Sequence, residues 1–373
     1  MNIVFTCGGT AGHISPAIAV ADLLRERDPS GNILFVGADD GMETDLVPRA
    51  GYRLETVKIS NFQRSASPAG IAHNVQAVSQ MITSSRKADK IIDEFRPNVV
   101  VGTGGYASYP MLRQAARRGI PVCLHESNAV PGLTTKLVME YMDSVMVSFE
   151  ESRRNYPDPS RVHVVGMPVK REFFTADREQ ARQELGLDDR PLVVSYWGSL
   201  GAREMNKRIA RFMALECEKG EPFQHIHATG SFGWEWMPDY VREQGADLAA
   251  HPAVDMREFI YDMPRIMAAA DLVICRSGAA TIAEVSAAGK PAIFVPSPNV
   301  TDNHQEKNAR ILEKRGSALV VREADCSGDS LFDTVSELLS DPERLKKMGA
   351  AARKNAVPNA AELILDMIFE LGQ

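Results

Sequence analysis

Glycine-rich turns at four places along the chain are the segments best suited to chemistry. Residues 8–13 read Gly-Gly-Thr-Ala-Gly-His, after a buried strand-like run and before a helical pattern. Glycines let the backbone approach a ligand closely, and the N–H groups that begin a helix attract phosphate. The spacing is neither the dinucleotide pattern Gly-x-Gly-x-x-Gly nor a Walker A loop. This turn alone predicts either a phosphate site or a tight strand–helix connection, and His13 at its mouth favours a site.

The three other turns have the same setting, since each follows a short apolar run. They are Gly-Thr-Gly-Gly-Tyr at 102–106, Gly-Ser-Leu-Gly-Ala at 198–202 and Arg-Ser-Gly-Ala-Ala-Thr at 276–281. Packing alone does not require four such turns at the ends of strands. Together they predict a site for several phosphates.

The elements that must position these turns alternate along the chain. Short β-rich runs alternate with helical patterns, which is typical of a parallel α/β fold. A buried strand enters a glycine turn and then a helix twice, at residues 5–9 and 195–199. This repeated strand–turn–helix sequence predicts two doubly wound domains, with substrates bound at the carboxyl ends of the strands. Strands are predicted at 3–7, 33–36, 99–101, 122–125, 144–147, 162–165, 192–197, 225–228, 272–275, 292–295 and 318–321, and helices at 16–27, 72–95 and 360–371.

Composition excludes several classes of protein. The chain is 44% apolar and 24% charged, as ordinary globular proteins are. Its apolar runs fall far short of the ~18 residues of a membrane-spanning helix, and we expect no signal peptide. The five cysteines are scattered without a Cys-x-x-Cys pair. This usage favours a reducing compartment and argues against a disulfide framework or a thiolate metal site.

Charge is unevenly distributed. The net charge of −7 makes nucleic acid an improbable partner, yet residues 61–118 carry eight Lys/Arg against three Asp/Glu. Apolar residues at helical spacing precede some of these cations. The basic segment therefore predicts a specific anionic target. The family resemblance described below implies that this target is an anionic membrane surface on which the stripe and the cations dock peripherally, with a core-facing stripe as the alternative. The residues concerned are Arg64, Ile71, Val75, Val78, Met81, Ile82, Arg86, Lys87, Lys90, Arg113, Arg117 and Arg118.

The same turns, with further motifs, resemble those of the MurG-type transferases. The matching motifs are Gly-Gly-Thr-x-Gly-His-x-x-Pro at 8–16, Gly-Thr-Gly-Gly-Tyr at 102–106, His-Glu-x-Asn-x-x-x-Gly-x-x-x-Lys at 125–136, Gly-Ser-x-Gly-Ala at 198–202, Arg-Ser-Gly-Ala-x-Thr-x-x-Glu at 276–284 and Ala-Ala-Gly-x-Pro-Ala-x-Phe-Val-Pro at 287–296. These enzymes move GlcNAc from UDP-GlcNAc to the membrane-borne lipid I. The departures from the family pattern are Ala11, Met167, Lys170 and Trp197.

The resemblance implies a GT-B fold with two facing Rossmann-like domains. Residues 1–167 would form the acceptor and membrane-side domain, with 358–373 packing back on it, and residues 168–357 would bind UDP-GlcNAc. The implied enzyme is an inverting N-acetylglucosaminyltransferase without a cofactor that makes lipid II for peptidoglycan synthesis. It would act at the cytoplasmic face of the cell membrane, on the anionic inner leaflet. Because the chain has no Asp-x-Asp pair, we expect the transferase to be metal-independent.

The resemblance also implies site residues. The acceptor diphosphate would lie on Gly8, Gly9, Thr10, Gly12, Gly102, Thr103, Gly104, Gly105 and Tyr106. The donor would lie on Thr10, Ala11, Gly12, Asn128, Lys170, Ser199, Ile260, Ser277, Gly278, Ala279, Ala280, Thr281, Glu284 and Gln305. The catalytic residues would be His13 as the general base, Glu126 and Asn128.

Most of these residues have a second interpretation. Glu284, implied to bind the ribose hydroxyls, lies three residues after Thr281 and could complete a capping box instead. Gln305 could lie in an exposed polar loop, and Ile260 could be a strand core residue. His13 could bind diphosphate or cap a helix rather than act as a base.

Glu126 and Asn128 could form a structural hydrogen-bond network. For the whole chain, the alternatives are another GT-B enzyme, such as a glycolipid synthase or a UDP-sugar epimerase, and a nucleotide-sugar-binding subunit of a split transferase.

Overall fold

Apolar runs rich in valine and isoleucine form two parallel sheets in the structure, a computed structural model. It describes residues 1–60 and 67–373, apart from the side chains at positions 11, 68–73, 75, 76 and 78. One unit consists of Met1–Val169 with Asn359–Gln373, and the other of Lys170–Pro358. The chain therefore changes unit near the predicted boundary and returns to the first unit at its C-terminal end.

The sheet of the first unit places the first two glycine turns next to each other. Among the described residues its strand order is β3-β2-β1-β4-β5-β6-β7. Thr6 of the first strand is in register with Gly102 of the fourth, so the turns that follow both strands start side by side. The strands are β1 (Asn2–Thr6), β2 (Asn32–Ala38), β3 (Arg53–Val57), β4 (Val99–Gly102), β5 (Val122–Glu126), β6 (Ser144–Val147) and β7 (Val162–Val164).

The sheet of the second unit repeats this arrangement. Its strand order is β10-β9-β8-β11-β12-β13, and Tyr196 is in register with Cys275, so the turns at 198–202 and 276–281 follow neighbouring strands. The strands are β8 (Leu192–Tyr196), β9 (Gln224–Ala228), β10 (Val254–Arg257), β11 (Leu272–Cys275), β12 (Ala292–Phe294) and β13 (Ala318–Val320).

Helices cover both faces of each sheet, which explains why the central strands are continuously apolar. In β4, Val99 and Val101 lie in one core and Val100 lies in the other. The helices are α1 (Ala11–Arg27), α2 (Glu43–Arg49), α3 (Pro68–Phe95), α4 (Ser108–Arg117), α5 (Leu133–Val138), α6 (Glu172–Thr175), α7 (Arg178–Glu184), α8 (Arg203–Glu218), α9 (Ser231–Trp234), α10 (Met237–Glu243), α11 (Met263–Ala269), α12 (Ala279–Ala288), α13 (His304–Lys314), α14 (Gly328–Leu339), α15 (Pro342–Asn355) and α16 (Ala360–Leu371). Short 3-10 helices lie at Met139–Tyr141, Glu150–Asn155, Pro159–Arg161, Leu248–Ala250, Thr301–Asn303 and Glu323–Asp325.

The C-terminal helix belongs to the core of the first unit. In α16, Ile364, Leu365 and Ile368 are buried in one cluster with Ile14 of α1. Arg27 of α1 donates to Asp366 of α16 at 2.7 Å. Both helices therefore cover the same face of the first sheet.

Some predicted elements differ from the structure. Helix α1 begins at Ala11, five residues earlier than predicted, and includes Pro16. Strands β3 and β10 were not predicted. Each lies at the edge of its sheet, so its sequence alternates with polar residues instead of forming an apolar run.

The predicted docking stripe on α3 lies partly outside the described residues. Arg64 and the side chains of Ile71, Val75 and Val78 are among those not described. Ile82 is exposed, and Met81 is half-buried. Among the described residues, no helix combines the length and apolar character needed to cross a membrane.

Candidate functional site

In the first unit, the turns at 8–13 and 102–106 are packed on each other. Thr103 donates its backbone N–H to the carbonyl of Thr6 at 3.1 Å. Gly105 has a φ of +85°, and a Cβ at this position would overlap the Gly8 carbonyl. Both turns therefore depend on glycine, and the structure brings together two segments that are separated by about ninety residues in the sequence.

His13 lies where these turns meet. Its Nδ1 is 3.1 Å from the carbonyl oxygen of Thr103, and Thr103 Oγ1 donates to the carbonyl of His13 at 2.6 Å. A carbonyl oxygen only accepts hydrogen bonds, so Nδ1 carries the proton of the neutral ring. Nε2 is then the basic nitrogen, which is the form that a general base requires.

The N–H of Gly9 is bonded to a buried side chain. Gly9 N–H donates to Glu43 Oε2 at 3.2 Å, so this donor is already used inside the protein. A diphosphate on this turn would therefore not be bound by the Gly9 N–H, and the placement of the acceptor diphosphate at Gly9 stays a prediction. Thr10 and Gly12 remain suited to an anion because they lie at the N-terminus of α1, where no side chain caps the helix.

Sequence reasoning missed Glu43, whose carboxylate lies behind this turn. It lies outside the matched motifs and carries no pattern of its own. The available signal was the pair Gly37 and Gly41, which leave space for a buried side chain between them.

Glu126 is held by its own loop. Oε1 accepts from the backbone N–H and side-chain amide of Asn128, at 3.1 and 3.3 Å. Oε2 accepts from Gly132 N–H at 3.1 Å and from Thr135 Oγ1 at 2.6 Å. With four donors on two oxygens, the structure supports the structural network for Glu126 rather than direct catalysis. The network fixes the position of Asn128.

His125, beside this network, is buried and neutral. Its Nε2 donates to the Gly166 carbonyl at 2.8 Å, whereas Nδ1 has no hydrogen-bond partner in the described part of the chain. Burial lowers the pKa of His125. The neutral ring links β5 to the end of the first unit's sheet.

In the second unit, the turn at 198–202 carries Ser199 on its surface. Gly198 and Gly201 have φ of +86° and +79°, and the exposed Ser199 lies between them. A Cβ on Gly201 would overlap the Thr229 carbonyl, so the turn is packed closely on the loop after β9. Helix α8 begins next, with Ala202 as an N-cap that makes no side-chain cap. The segment therefore joins an exposed hydroxyl to a helix N-terminus.

Ser277 and Gln305 are bonded to each other rather than open to solvent. Ser277 is fully buried, and its Oγ donates to the Gln305 carbonyl at 2.9 Å. Gln305 Oε1 accepts from Ser297 N–H at 2.9 Å. The Ser277 hydroxyl proton is therefore used within the protein, and nucleotide binding by Ser277 stays a prediction. The exposed-loop interpretation of Gln305 is wrong, because Gln305 is half-buried in α13.

Glu284 lies in the middle of α12 and not at its start. Gly278 is the N-cap of this helix, and Ala279, Ala280 and Thr281 form its first turn, so the capping box with Thr281 is excluded. Burial raises the pKa of Glu284 to about 7, although the positive charge of Lys170 acts in the opposite direction. Among the described residues, its carboxyl group has no hydrogen-bond donor. A partly buried acid without a donor is suited to accept hydrogen bonds from a ligand.

The structure of the second unit also decides how Ile260 and Trp197 are interpreted. Ile260 is half-buried and lies beyond the end of β10, so it is not a strand core residue. Trp197, a departure from the family pattern, is buried in the core, and the guanidinium of Arg276 lies 5.6 Å from its ring centroid. Trp197 therefore helps to hold the loop that begins with Arg276.

The described residues contain no group of three or more His, Cys, Asp or Glu side chains arranged to hold a metal ion. The helix N-termini and glycine turns of the two units are suited to an anion, and Lys170 is a cation near Glu284 in the second unit.

Comparison with known proteins gives full-length matches. Residues 3–147 match the glycosyltransferase family 28 N-terminal domain, and residues 193–364 match the family 28 C-terminal domain. A protein of Acetivibrio thermocellus is 37% identical over 372 residues, covering 100% of this chain and 98% of its own. One of Halalkalibacterium halodurans is 36% identical over 375 residues, covering 100% of both chains. Both relatives are named UDP-N-acetylglucosamine–N-acetylmuramyl-(pentapeptide) pyrophosphoryl-undecaprenol N-acetylglucosamine transferase.

Solved structures have the same fold. The crystal structure of MurG from Acinetobacter baumannii matches with a TM-score of 0.78 and 26% identity, covering 99% of both chains. UDP-GlcNAc 2-epimerase from Neisseria meningitidis, bound to UDP-GlcNAc, matches with a TM-score of 0.66 and 15% identity, covering 99% of this chain and 100% of its own. The second likeness concerns the fold alone. The predicted GT-B class, with two parallel α/β units, is confirmed.

Proposed function

This chain belongs to the MurG-type family of N-acetylglucosaminyltransferases, as its motifs predicted, and we propose that it catalyses the reaction for which its relatives are named. It transfers GlcNAc from UDP-GlcNAc to the 4-hydroxyl of MurNAc in lipid I and so makes lipid II for peptidoglycan synthesis. The observation that carries this assignment is 37% identity over the full length of a relative with that name.

His13 is the general base in this proposal. Its Nε2 takes the proton of the acceptor hydroxyl while the hydroxyl oxygen attacks the anomeric carbon of GlcNAc. UDP leaves from the opposite face, and the configuration is inverted. The Thr103 carbonyl accepts the Nδ1–H of the ring, so it stabilises the imidazolium that forms.

The acceptor diphosphate lies on the N-terminus of α1 and on the turn at 102–105. The N–H groups of Thr10 and Gly12 supply partial positive charge there, whereas Gly8 contributes only shape. Glu126 positions Asn128 beside the transferred sugar through the two bonds described above. Asn128 contacts the sugar, and Glu126 does not.

The donor lies on the second unit. The N-terminus of α12 and the turn at 198–202 bind the diphosphate, with Ser199 Oγ as a further donor. Glu284 accepts hydrogen bonds from the ribose hydroxyls, and the field of Lys170 favours its ionised form. Backbone groups of Ile260 contact the uracil edge, and the Gln305 amide contacts the GlcNAc hydroxyls.

The membrane-facing surface is formed by α3, α4, α5 and the 3-10 helix Met139–Tyr141 of the first unit. Leu133, Leu137 and Tyr141 recur at intervals of four residues and are 53%, 47% and 40% exposed. The guanidinium of Arg113 lies 4.0 Å from the Tyr141 ring centroid. Solvent-facing leucines and a tyrosine beside cations suit the interface of an anionic bilayer. The exposed cations near this surface are Arg86, Lys87, Lys90, Arg117 and Lys136.

The decisive experiment measures UDP release from UDP-GlcNAc with and without a lipid I analogue. The proposal predicts release that depends on the acceptor, with one glycosylated acceptor formed per UDP. Acceptor-independent release with an epimerised sugar would assign the epimerase alternative instead. Tight binding of UDP-GlcNAc without turnover on any acceptor would assign a binding subunit.

A further inference from the structure

Glu43 has a fully buried carboxylate. Within the described residues, no charged side chain forms a hydrogen bond or an ion pair with it. It is the first residue of α2 and is 0% exposed. A carboxylate in such a place is strongly destabilising unless hydrogen-bond donors surround it. Two backbone donors do so: Ala38 N–H donates to Oε1 at 2.6 Å, and Gly9 N–H donates to Oε2 at 3.2 Å.

The pocket that holds this carboxylate is built from glycine backbone. A Cβ on Gly8 would lie 2.8 Å from Oε1, and Cβ atoms on Gly37 and Gly41 would approach the side chain more closely still. The side chain thus fills space that three missing Cβ atoms create. Because Gly8 belongs to the first glycine turn, the carboxylate is in direct contact with that turn.

The other side of the turn is covered as well. Gly105 is packed on the Gly8 carbonyl, and a Cβ on Gly9 would lie 3.3 Å from the Tyr106 ring. The peptide between Gly8 and Gly9 therefore has its N–H on Glu43 and its carbonyl towards Gly105. This orientation keeps both turns at a fixed spacing.

We infer that Glu43 is a positioning residue for the acceptor: it orients the turn at 8–12 so that the α1 N-terminus, and not the Gly9 N–H, faces the diphosphate. The inference rests on the proposed function, because it takes lipid I diphosphate as the ligand of that turn. Glu43 itself touches no substrate. Its effect should therefore be confined to acceptor binding and to the transfer step, and donor binding should not change.

The test compares Glu43→Gln with Asp45→Asn in the full-length protein. Gln keeps the shape but replaces one of the two acceptor oxygens with an NH2 group, which would face a backbone N–H in place of accepting from it, so the bonds from Ala38 and Gly9 cannot both be kept on their separate atoms. Asp45 lies on the same helix, is exposed and pairs with Arg49, which makes Asp45→Asn the matched control. For Glu43→Gln we expect the KM for a soluble lipid I analogue to rise about tenfold or more, as for loss of a hydrogen bond to a charged group. The KM for UDP-GlcNAc should stay within about twofold of wild type.

Several outcomes decide the inference. Equal acceptor KM values in folded Glu43→Gln and wild type would overturn it, as would equal losses for donor and acceptor. If Glu43→Gln does not fold, Glu43→Asp decides, because it keeps both oxygens but shortens their reach, and the same acceptor-specific rise is expected. A wild-type protein that never glycosylates the acceptor would instead refute the proposed function.

Discussion

Glu284 and Lys170 lie close enough in the second unit for the lysine's charge to act on the carboxyl group. Burial raises the pKa of Glu284 to about 7, and Lys170 opposes this rise without cancelling it. The carboxyl group therefore changes charge near neutral pH, at the position proposed to bind ribose. The affinity for the donor should therefore change with pH as Glu284 titrates.

Replacing Glu284 should weaken donor binding specifically. Hydrogen bonds from the ribose hydroxyls to a carboxylate contribute ~1.5–3 kcal/mol each. We expect Glu284→Ala to raise the KM for UDP-GlcNAc at least about tenfold and to leave the acceptor KM unchanged. Steady-state kinetics with each substrate varied in turn checks this. An unchanged donor KM with a lowered Tm would show that Glu284 has a structural role only.

The pH dependence of donor binding should follow the same group. In the proposed complex only the ionised carboxylate accepts from both ribose hydroxyls, so affinity for UDP-GlcNAc should fall as the pH decreases through about 7. UDP-GlcNAc is the correct probe because its diphosphate, unlike that of UDP, has no terminal phosphate that titrates nearby. Calorimetry at several pH values should show this slope in wild type and no slope in Glu284→Gln. Lys170→Met should move the midpoint to higher pH, whereas Lys170→Arg, which keeps the charge, should not.

The raised pKa also predicts a stability effect of definite sign. A carboxyl group whose pKa rises from 4.5 in the unfolded chain to about 7 in the folded protein binds more protons when folded. Its stabilising contribution is complete below about pH 4.5 and is lost as the pH rises to about 7. The neutral amide in Glu284→Gln avoids this loss. The difference in Tm between Glu284→Gln and wild type should therefore be more positive at pH 8 than at pH 5.

The positions of the turns could be predicted from the sequence, but their contacts could not. Parallel strands place their carboxyl ends at one edge, so the nearness of residues 8–13 and 102–106 follows from the fold class. Which donor groups stay available depends on residues far along the chain. The Glu43 carboxylate accepts from the Gly9 N–H, and the backbone carbonyl of Gln305 accepts from the Ser277 hydroxyl. Neither pairing leaves a periodic or local pattern.

The edge strands of both sheets also could not be predicted from the sequence. The central strands are buried on both faces and read as apolar runs, so they were found. Strand β3 contains Arg53 and Glu55, and β10 contains Asp255 and Arg257. With one neighbour and partial exposure, these strands tolerate charge and resemble loops in the sequence.

Loss of the His13 ring should reduce turnover more than binding. A general base contributes about 10²–10⁴-fold to the rate, so His13→Gln should lower kcat by that range and leave the UDP-GlcNAc KM nearly unchanged. His163→Gln is the control, because this exposed histidine lies in the same unit on β7. If His13 only binds diphosphate, the acceptor KM should rise while kcat at saturation is preserved.

Chelation should not abolish activity. In the proposed donor site, the N-terminus of α12, the turn at 198–202 and Lys170 would together neutralise the charge of the leaving diphosphate. The chain contains no Asp-x-Asp pair to hold a metal–diphosphate complex. We expect full transfer in excess EDTA. Loss of activity that Mg²⁺ or Mn²⁺ restores would contradict this prediction.

The first unit should bind anionic vesicles through two contributions, one electrostatic and one apolar, which differ in their dependence on salt. The exposed cations Arg86, Lys87 and Lys90 on α3 should supply a salt-sensitive part, at ~1 kcal/mol for each charge near an anionic surface. Leu133 and Leu137 on α5 should supply a part that salt does not screen. Arg118 and Lys90 should contribute less than this, because Arg118 already pairs with Asp89 and Asp93 and Lys90 pairs with Glu94.

Co-sedimentation with vesicles containing acidic lipid tests this division. Charge reversal of Arg86, Lys87 and Lys90 should weaken binding at low salt, whereas Leu133→Ser with Leu137→Ser should remove the binding that persists at high salt. Charge reversal of Lys346, Lys347 and Lys354, which are exposed on α15 of the second unit, is the matched control and should have little effect. Equal binding to neutral vesicles, or no binding to acidic vesicles at low salt, would refute docking through this surface. Loss in the control equal to that in the α3 variant would show that the attraction follows net charge and not α3.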